Sequence, residues 1–251
     1  MKSFWRRCLI VSVLFCLLTV AANAVDFKPA ATRPDDAIVL FDGQGICRFV
    51  SKDGTPADKN WKVENGCLVA VPKEVRSNHI SSTVKFQDAD IHVEFMTSDK
   101  AHGNSGLYIH GLYELQIINP VRDDEPLTNS ISGALYGIHA PQVRAALKPG
   151  QWQVYDVRFR SPLRNAQGKV IQSGSITAWL NGKLVLDNVH FDEPYSKYHP
   201  YVYRSTDYLR GVYNELIKTN KGPLFLQEHD NPCRFRNVWI RPIDPIRPAT
   251  H

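Results

Sequence analysis

Residues Gly103–Asn119 read GNSGLYIHGLYELQIIN, two alternating runs, LYIH and YELQII, on either side of Gly111. One parity collects Leu107, Ile109, Leu115 and Ile117; the other collects Tyr108, His110, Glu114 and Gln116. Successive side chains of a strand point to opposite faces, so a period of two marks a half-buried strand. Paired as a hairpin, the runs give one aliphatic, core-facing side. The other side carries an aromatic, an imidazole, a carboxylate and a carboxamide. That is the chemistry of a polar binding surface with a candidate general acid or base in it.

Short strands of the same kind recur on both sides. Ala37–Phe41 reads as a first strand, and WKVENGCLVAV as a hairpin turning at Asn65-Gly66, because a type I′ turn needs positive φ at both central residues. Ile80–Phe86 and Ile91–Thr97 follow. Trp152–Phe159 and Val170–Leu180 come after the central stretch, and Asn181-Gly182 turns the chain into Lys183–Leu186. Gly222–Gln227 and Arg234–Arg241 close the series. Pro120–Gly150 has no sustained period, and such a long irregular segment in a β domain suits a functional rim loop. Phe191–Tyr213 is rich in tyrosine (Tyr195, Tyr198, Tyr201, Tyr203) and reads as a surface insertion, with a short helix near Leu209–Lys218. At least ten short strands and almost no amphipathic helix predict an all-β, two-sheet antiparallel sandwich. Closing it sets the last strand beside an early one.

The 251 residues fit one such domain over 37–242, with an extended lead-in at 25–36 and a loose tail at 243–251. Residues 1–24 read differently. Lys2, Arg6 and Arg7, the apolar run Cys8–Val20 and the exit Ala22-Asn23-Ala24 describe a secretory signal peptide cleaved after Ala24. The apolar run is too short for a membrane span. A secreted or periplasmic location is therefore expected. Without this leader the chain carries 27 basic against 25 acidic residues, or +2, with no basic run suited to nucleic acid. Of five cysteines, Cys47, Cys67 and Cys233 remain, and their spacing matches no zinc motif. A Cys47–Cys67 bridge stays open. The oligomeric state is not legible.

Taken in order, LFDG (40–43), WKVENGCLV (61–69), GNSGLYIHGLYELQI (103–117), GALYG with Ala140-Pro141, W-x-x-Y-D-V-x-F (152–159), the Asn181-Gly182 turn and GPLFLQEHDNPCRFRNVWIRP (222–242) resemble the 3-keto-disaccharide hydrolase domain family. The resemblance covers roughly 37–242. It implies a jelly roll of the concanavalin A-like lectin/glucanase type, acting on glycosides whose sugar carries a ketone at C3. The ketone acidifies the C2–H, a base removes that proton, and the C1 substituent leaves by elimination. Hydration of the enone then gives net hydrolysis. Such chemistry needs a base near C2, a group polarising the C3 oxygen and an acid near the glycosidic oxygen.

Glu114 is the first candidate for base or acid; its rival role is a structural salt bridge with Arg234 or Arg236. His229 is the second catalytic candidate, two residues after Gln227 and on the same face if the strand persists. Asn104 and Gln227 are candidates for sugar hydroxyls, with Ser105 beside Asn104. Tyr108 and Gln116 share the face of Glu114. His110 either contacts ligand or caps the hairpin at Gly111. Tyr136 either stacks on a pyranose or packs in the core. Arg234 either clamps sugar hydroxyls or holds the Glu114 carboxylate, and the parity of RFRNVWI leaves its face open. No cofactor signature is present. A divalent metal stays open through His110, Glu114 and His229, although no spacing motif demands one. The expected partner is a carbohydrate or oxidised glycoside. The rival classes are a non-catalytic carbohydrate-binding module, since fold does not fix function, and an ordinary retaining glycosidase. The latter holds two carboxyls about 5–5.5 Å apart, and the Glu114 strand offers no second one.

Overall fold

The computed structural model describes residues 32–59, 61–71, 79–99, 103–120, 122, 124–193 and 203–243. The expected signal peptide, most of the expected lead-in, the tail beyond Ile243, and Tyr195, Tyr198 and Tyr201 lie outside them. No helix among the described residues is long and apolar enough to cross a membrane.

The chain folds as an antiparallel two-sheet jelly roll. The strands are β1 (Ile38–Phe41), β2 (Phe49–Ser51), β3 (Trp61–Glu64), β4 (Cys67–Ala70), β5 (Ile80–Phe86), β6 (Asp88–Met96), β7 (Asn104–Ile109), β8 (Tyr113–Ile118), β9 (Gln153–Arg160), β10 (Leu163–Arg164), β11 (Val170–Gln172), β12 (Gly174–Leu180), β13 (Lys183–Phe191), β14 (Gly222–Leu226) and β15 (Arg234–Ile243). Among the described residues the one long helix, α1 (Asp207–Thr219), begins in the tyrosine-rich insertion. One sheet runs β13-β12-β9-β6-β15-β4-β3, with β1 also on β15; the other runs β2-β5-β14-β7-β8. The last strand does lie beside early ones, β1, β4 and β6. The run Val170–Leu180 is broken at Ser173. β11 pairs with β10, while β12 joins the large sheet.

The inner faces meet in one apolar core. Leu107, Ile109, Leu115 and Ile117 reach it from the smaller sheet, and Tyr155, Val157 and Phe159 from the larger. The parity read for Leu107, Ile109, Leu115 and Ile117 thus assigns the core face of the hairpin correctly. Both asparagine-glycine turns carry positive φ at both residues: 51° and 70° at Asn65-Gly66, 52° and 75° at Asn181-Gly182.

The long segment after β8 returns along that strand. Leu135 bridges Leu115, Gln116 N donates to Ala134 O (3.1 Å), and Tyr136 N donates to Glu114 O (2.8 Å). Tyr155 fixes it from below. Its hydroxyl donates to Gln116 O (2.6 Å) and accepts from Gly133 N (2.7 Å).

Helix α1 begins at Thr206, whose side chain accepts from Leu209 N (3.2 Å), as an N-cap residue does. It buries Leu209, Val212 and Leu216. Just ahead of it, Tyr203 packs on Phe225 of β14 (centroids 5.9 Å) and donates its hydroxyl to His110 O. Removing that donor leaves a buried carbonyl unpaired, which costs about 1–3 kcal/mol. Tyr203→Phe is therefore expected to destabilise the protein by that amount in urea denaturation. An unchanged midpoint would show that the contact carries no net stability.

Two candidate site residues are displaced from their expected positions. His110 does not continue β7. It is the first residue of the turn, with φ 56°, and this left-handed conformation swings its ring back into the core. There it meets Phe86 (5.1 Å) and Phe159 (4.9 Å, edge-on), and burial takes the imidazole down to about 3. Arg234 belongs to the other sheet. Phe235 beside it is fully buried, so Arg234 faces outward there and pairs with Glu64 (3.1 Å). Arg236 pairs with Glu94 (2.6 Å). Neither arginine is the partner of Glu114. Cys47, Cys67 and Cys233 are all free thiols, so Cys47 and Cys67 are unbridged.

Candidate active site

The outer face of the smaller sheet gathers the remaining candidates, and strand register explains how. Tyr108 of β7 pairs directly with Glu114 of β8. On the other side of β7, Tyr108 pairs with Phe225 of β14, which in turn pairs with Ser81 of β5. Tyr136 borders Glu114 at the far edge through the returning segment. A neighbouring row holds Gly106 opposite Gln116, with Gln227 beside Gly106 through its N–H to Gly106 O (3.0 Å). The Ser105 hydroxyl donates to Gln227 O (2.7 Å) and fixes that residue just past the end of β14.

Gly106 decides where the carboxylate lies. A methyl group built there would overlap Glu114 Oε1 and stand 2.9 Å from Tyr108 Cε2. The missing side chain is the space that Glu114 occupies. From Gln227 a hydrogen-bond chain leads to the acid: Gln227 Nε2 donates to Tyr108 Oη (3.0 Å), and the Tyr108 hydroxyl donates to Glu114.

These contacts set the electrostatics. Glu114 is only 5% exposed. Burial pushes its carboxyl up to about 7, and the Tyr108 hydroxyl restrains the rise. Burial, with the Glu114 charge next, holds the Tyr108 phenol well above its ordinary range. A carboxyl poised near neutrality exchanges protons in either direction, which is what a general acid or base requires. The displacement traces to burial and Tyr108, not to a second carboxylate, so among the described residues Glu114 has no partner carboxyl of the kind a retaining glycosidase holds.

The other candidates take peripheral places. Asn104 lies on the same face at the far end of β7, opposite Ile118. Gln116 shares the face too, but turns its Oε1 to Ile117 N (3.0 Å). His229 does not continue the strand, because β14 ends at Leu226; it is exposed on the following loop, and its charge is felt at His79. His110, Glu114 and His229 do not converge. Among the described residues no group of three or more His, Cys, Asp or Glu is placed to hold a metal ion.

Sequence reasoning missed two residues near this face, His79 and Lys52. The ring of His79 stacks on Tyr108 at 6.2 Å and 21°, and it feels the charge of Lys52. His79 precedes its strand by one residue, so only its parity with Ser81 marked it. Nothing in the pattern marks Lys52.

No curated protein matches the chain. Among solved structures, one candidate glycosyl hydrolase of Parabacteroides distasonis ATCC 8503 is 27% identical, with a TM-score of 0.67 over 84% of this chain and 86% of that one. A second from the same organism is 20% identical, with a TM-score of 0.56 over 83% and 94%, and shares the fold. The family model described as the 3-keto-alpha-glucoside-1,2-lyase-like domain matches residues 36–241, nearly all of the sandwich. The chain belongs to that family.

Proposed function

We propose that this protein cleaves glycosides whose sugar carries a ketone at C3, with Glu114 as the base. The observation that carries this reading is the Glu114 carboxyl itself: buried, lifted to about 7, and hydrogen-bonded to Tyr108 above the space at Gly106. Glu114 takes the acidified C2 proton. The C2–H electron pair forms the C1=C2 bond, conjugated with the C3 ketone, and the C1–O bond breaks. The departing oxygen gains a proton on the rim, where His229 and solvent stand. Water adding across the enone completes a net hydrolysis. Gln227, Asn104 and Gln116 offer hydrogen bonds to sugar hydroxyls, and Tyr136 offers an aromatic surface beside the acid. Membership of the lyase-like family supports the elimination step. The basic and apolar leader supports action outside the cytoplasm.

Incubating the protein with a 3-keto glucoside and with its unoxidised parent tests the reading. Cleavage of the keto form alone is expected. Binding of either without turnover would instead make this a carbohydrate-binding module, and cleavage of the parent would make it an ordinary glycosidase.

The role of Tyr108 has its own test. Tyr108→Phe removes the donor that restrains Glu114 and leaves burial unopposed, so the carboxyl rises further above about 7. The ascending limb of kcat/KM against pH, which reports the base of the free enzyme, is expected to move to higher pH. A limb that stays in place would show that the phenol does not tune the acid.

A further inference from the structure

Tyr108 is flanked on both sides. Glu114 lies across it toward β8, and His79 lies across it toward β5. His79 shares the parity of Ser81, so it projects from the outer face of the smaller sheet. The pairing of Ile80 with Leu226 brings it level with Gln227. His79 Nδ1 is buried and makes no hydrogen bond among the described residues, and the same holds for Gln227 Oε1. The two residues are only 9% and 8% exposed. Roughly 90% or more of buried polar groups find a partner, and each exception calls for an explanation. Two such atoms beside one phenol, both on its β14 and β5 side and in the face proposed to hold a sugar, share one explanation.

We propose that His79 contacts the ligand and, with Gln227, reads one hydroxyl group of the sugar seated over Tyr108. This rests on the sugar-binding reading above. A hydroxyl both donates and accepts. Gln227 Oε1 accepts only, while a neutral imidazole offers one donor and one acceptor nitrogen. Burial first, then the charges of His229 and Lys52, drives His79 down to about 4, so the ring is neutral where Glu114 titrates. The groups facing it are Tyr108, His229 and Lys52, with Glu114 beyond the phenol. A half-turn about χ2 exchanges Nδ1 with Cδ2, and such terminal torsions have broad, roughly two-fold wells. The ring can therefore present nitrogen at either edge.

Three proteins test this: wild type, His79→Phe, which keeps the stack on Tyr108 but removes both nitrogens, and His79→Asn, whose amide restores a polar group near Nδ1. Each is assayed for kcat and KM on the 3-keto glucoside, and by calorimetry on the parent glucoside and its monodeoxy analogues. For one hydroxyl, the phenylalanine variant is expected to bind about tenfold more weakly, the usual scale of one neutral hydrogen bond. The analogue lacking that hydroxyl should bind wild type and variant alike. kcat should stay within about threefold, and asparagine should recover most of the affinity. Equal weakening across all analogues, or none at all, would overturn the assignment and leave the sugar site standing. Failure of wild type to bind or turn over any of these sugars would overturn the sugar site and this assignment with it.

Discussion

Glu114→Gln is expected to remove turnover of a 3-keto glucoside while making the protein more stable at alkaline pH. The loss of rate follows from the loss of a proton-transfer group, worth about 10²–10⁴-fold. The gain in stability follows from linkage. The carboxyl titrates at about 7 in the folded protein against an ordinary 4.5, so the folded state holds the proton more tightly. Stability from this group is complete below pH 4.5 and is lost as pH rises through about 7. At about 1.4 kcal/mol per pH unit between these values, the penalty reaches on the order of 3 kcal/mol. Glutamine is isosteric and never ionises, so it escapes that penalty. The two proteins should unfold at similar temperatures at pH 5, and the variant at the higher temperature at pH 8. Full activity in the variant would sink the role of Glu114. Inactivity with an equal loss of stability at both pH values would mark the residue as structural only.

The opposed effects distinguish this site from a packing carboxylate. A buried Glu kept for structure would be paired, and breaking the pair would destabilise. Glu114 instead receives one phenol hydroxyl and lies over a glycine. The fold tolerates an ill-solvated acid here because β7, β8 and the segment bridged at Leu135 hold its backbone from both sides.

Most of the fold was legible because alternation reports burial directly. The hairpin at 103–119, both asparagine-glycine turns and the helix near Leu209–Lys218 all follow from local chemistry. The errors lie where local geometry breaks the period. His110 has the right parity for the polar face, but its φ of 56° turns it into the core. Arg234 was ambiguous because β15 carries an irregularity at Asn237, φ 45°, with the register shifting between Arg236 and Trp239. Phe235, Val238 and Ile240 therefore all face inward despite their unequal spacing. His229 depended on a strand that ends three residues earlier. Tyr108 beside Glu114 was legible from the hairpin, but the arrival of Gln227 beside them was not. It requires β14 to insert between β5 and β7, a pairing across more than a hundred residues that no local pattern encodes. His79 was missed for the same reason.

Gly106→Ala is the sharpest probe of that long-range geometry. Gly106 is not in the left-handed region, so alanine suits its backbone and the consequence is steric. The added methyl would overlap Glu114 Oε1, stand 3.1 Å from Glu114 Cδ and 2.9 Å from Tyr108 Cε2. The carboxylate is the far end of a flexible side chain and yields first. Moving it breaks the bond from Tyr108 and brings it nearer to solvent. Relief of burial, the larger influence, should lower its pKa toward the ordinary 4.5. The ascending limb of kcat/KM should shift to lower pH, the reverse of Tyr108→Phe. A reacting group misplaced by an ångström costs about 10²-fold in rate, and overpacking costs about 1–3 kcal/mol in stability. In the Glu114→Gln background the same alanine should cost almost no further activity, because groups acting as a unit are not additive. Wild-type kcat with an unmoved pH profile in Gly106→Ala would mean that the space over Gly106 does not position the acid. A further full loss in the double variant would mean that Gly106 acts on some other group.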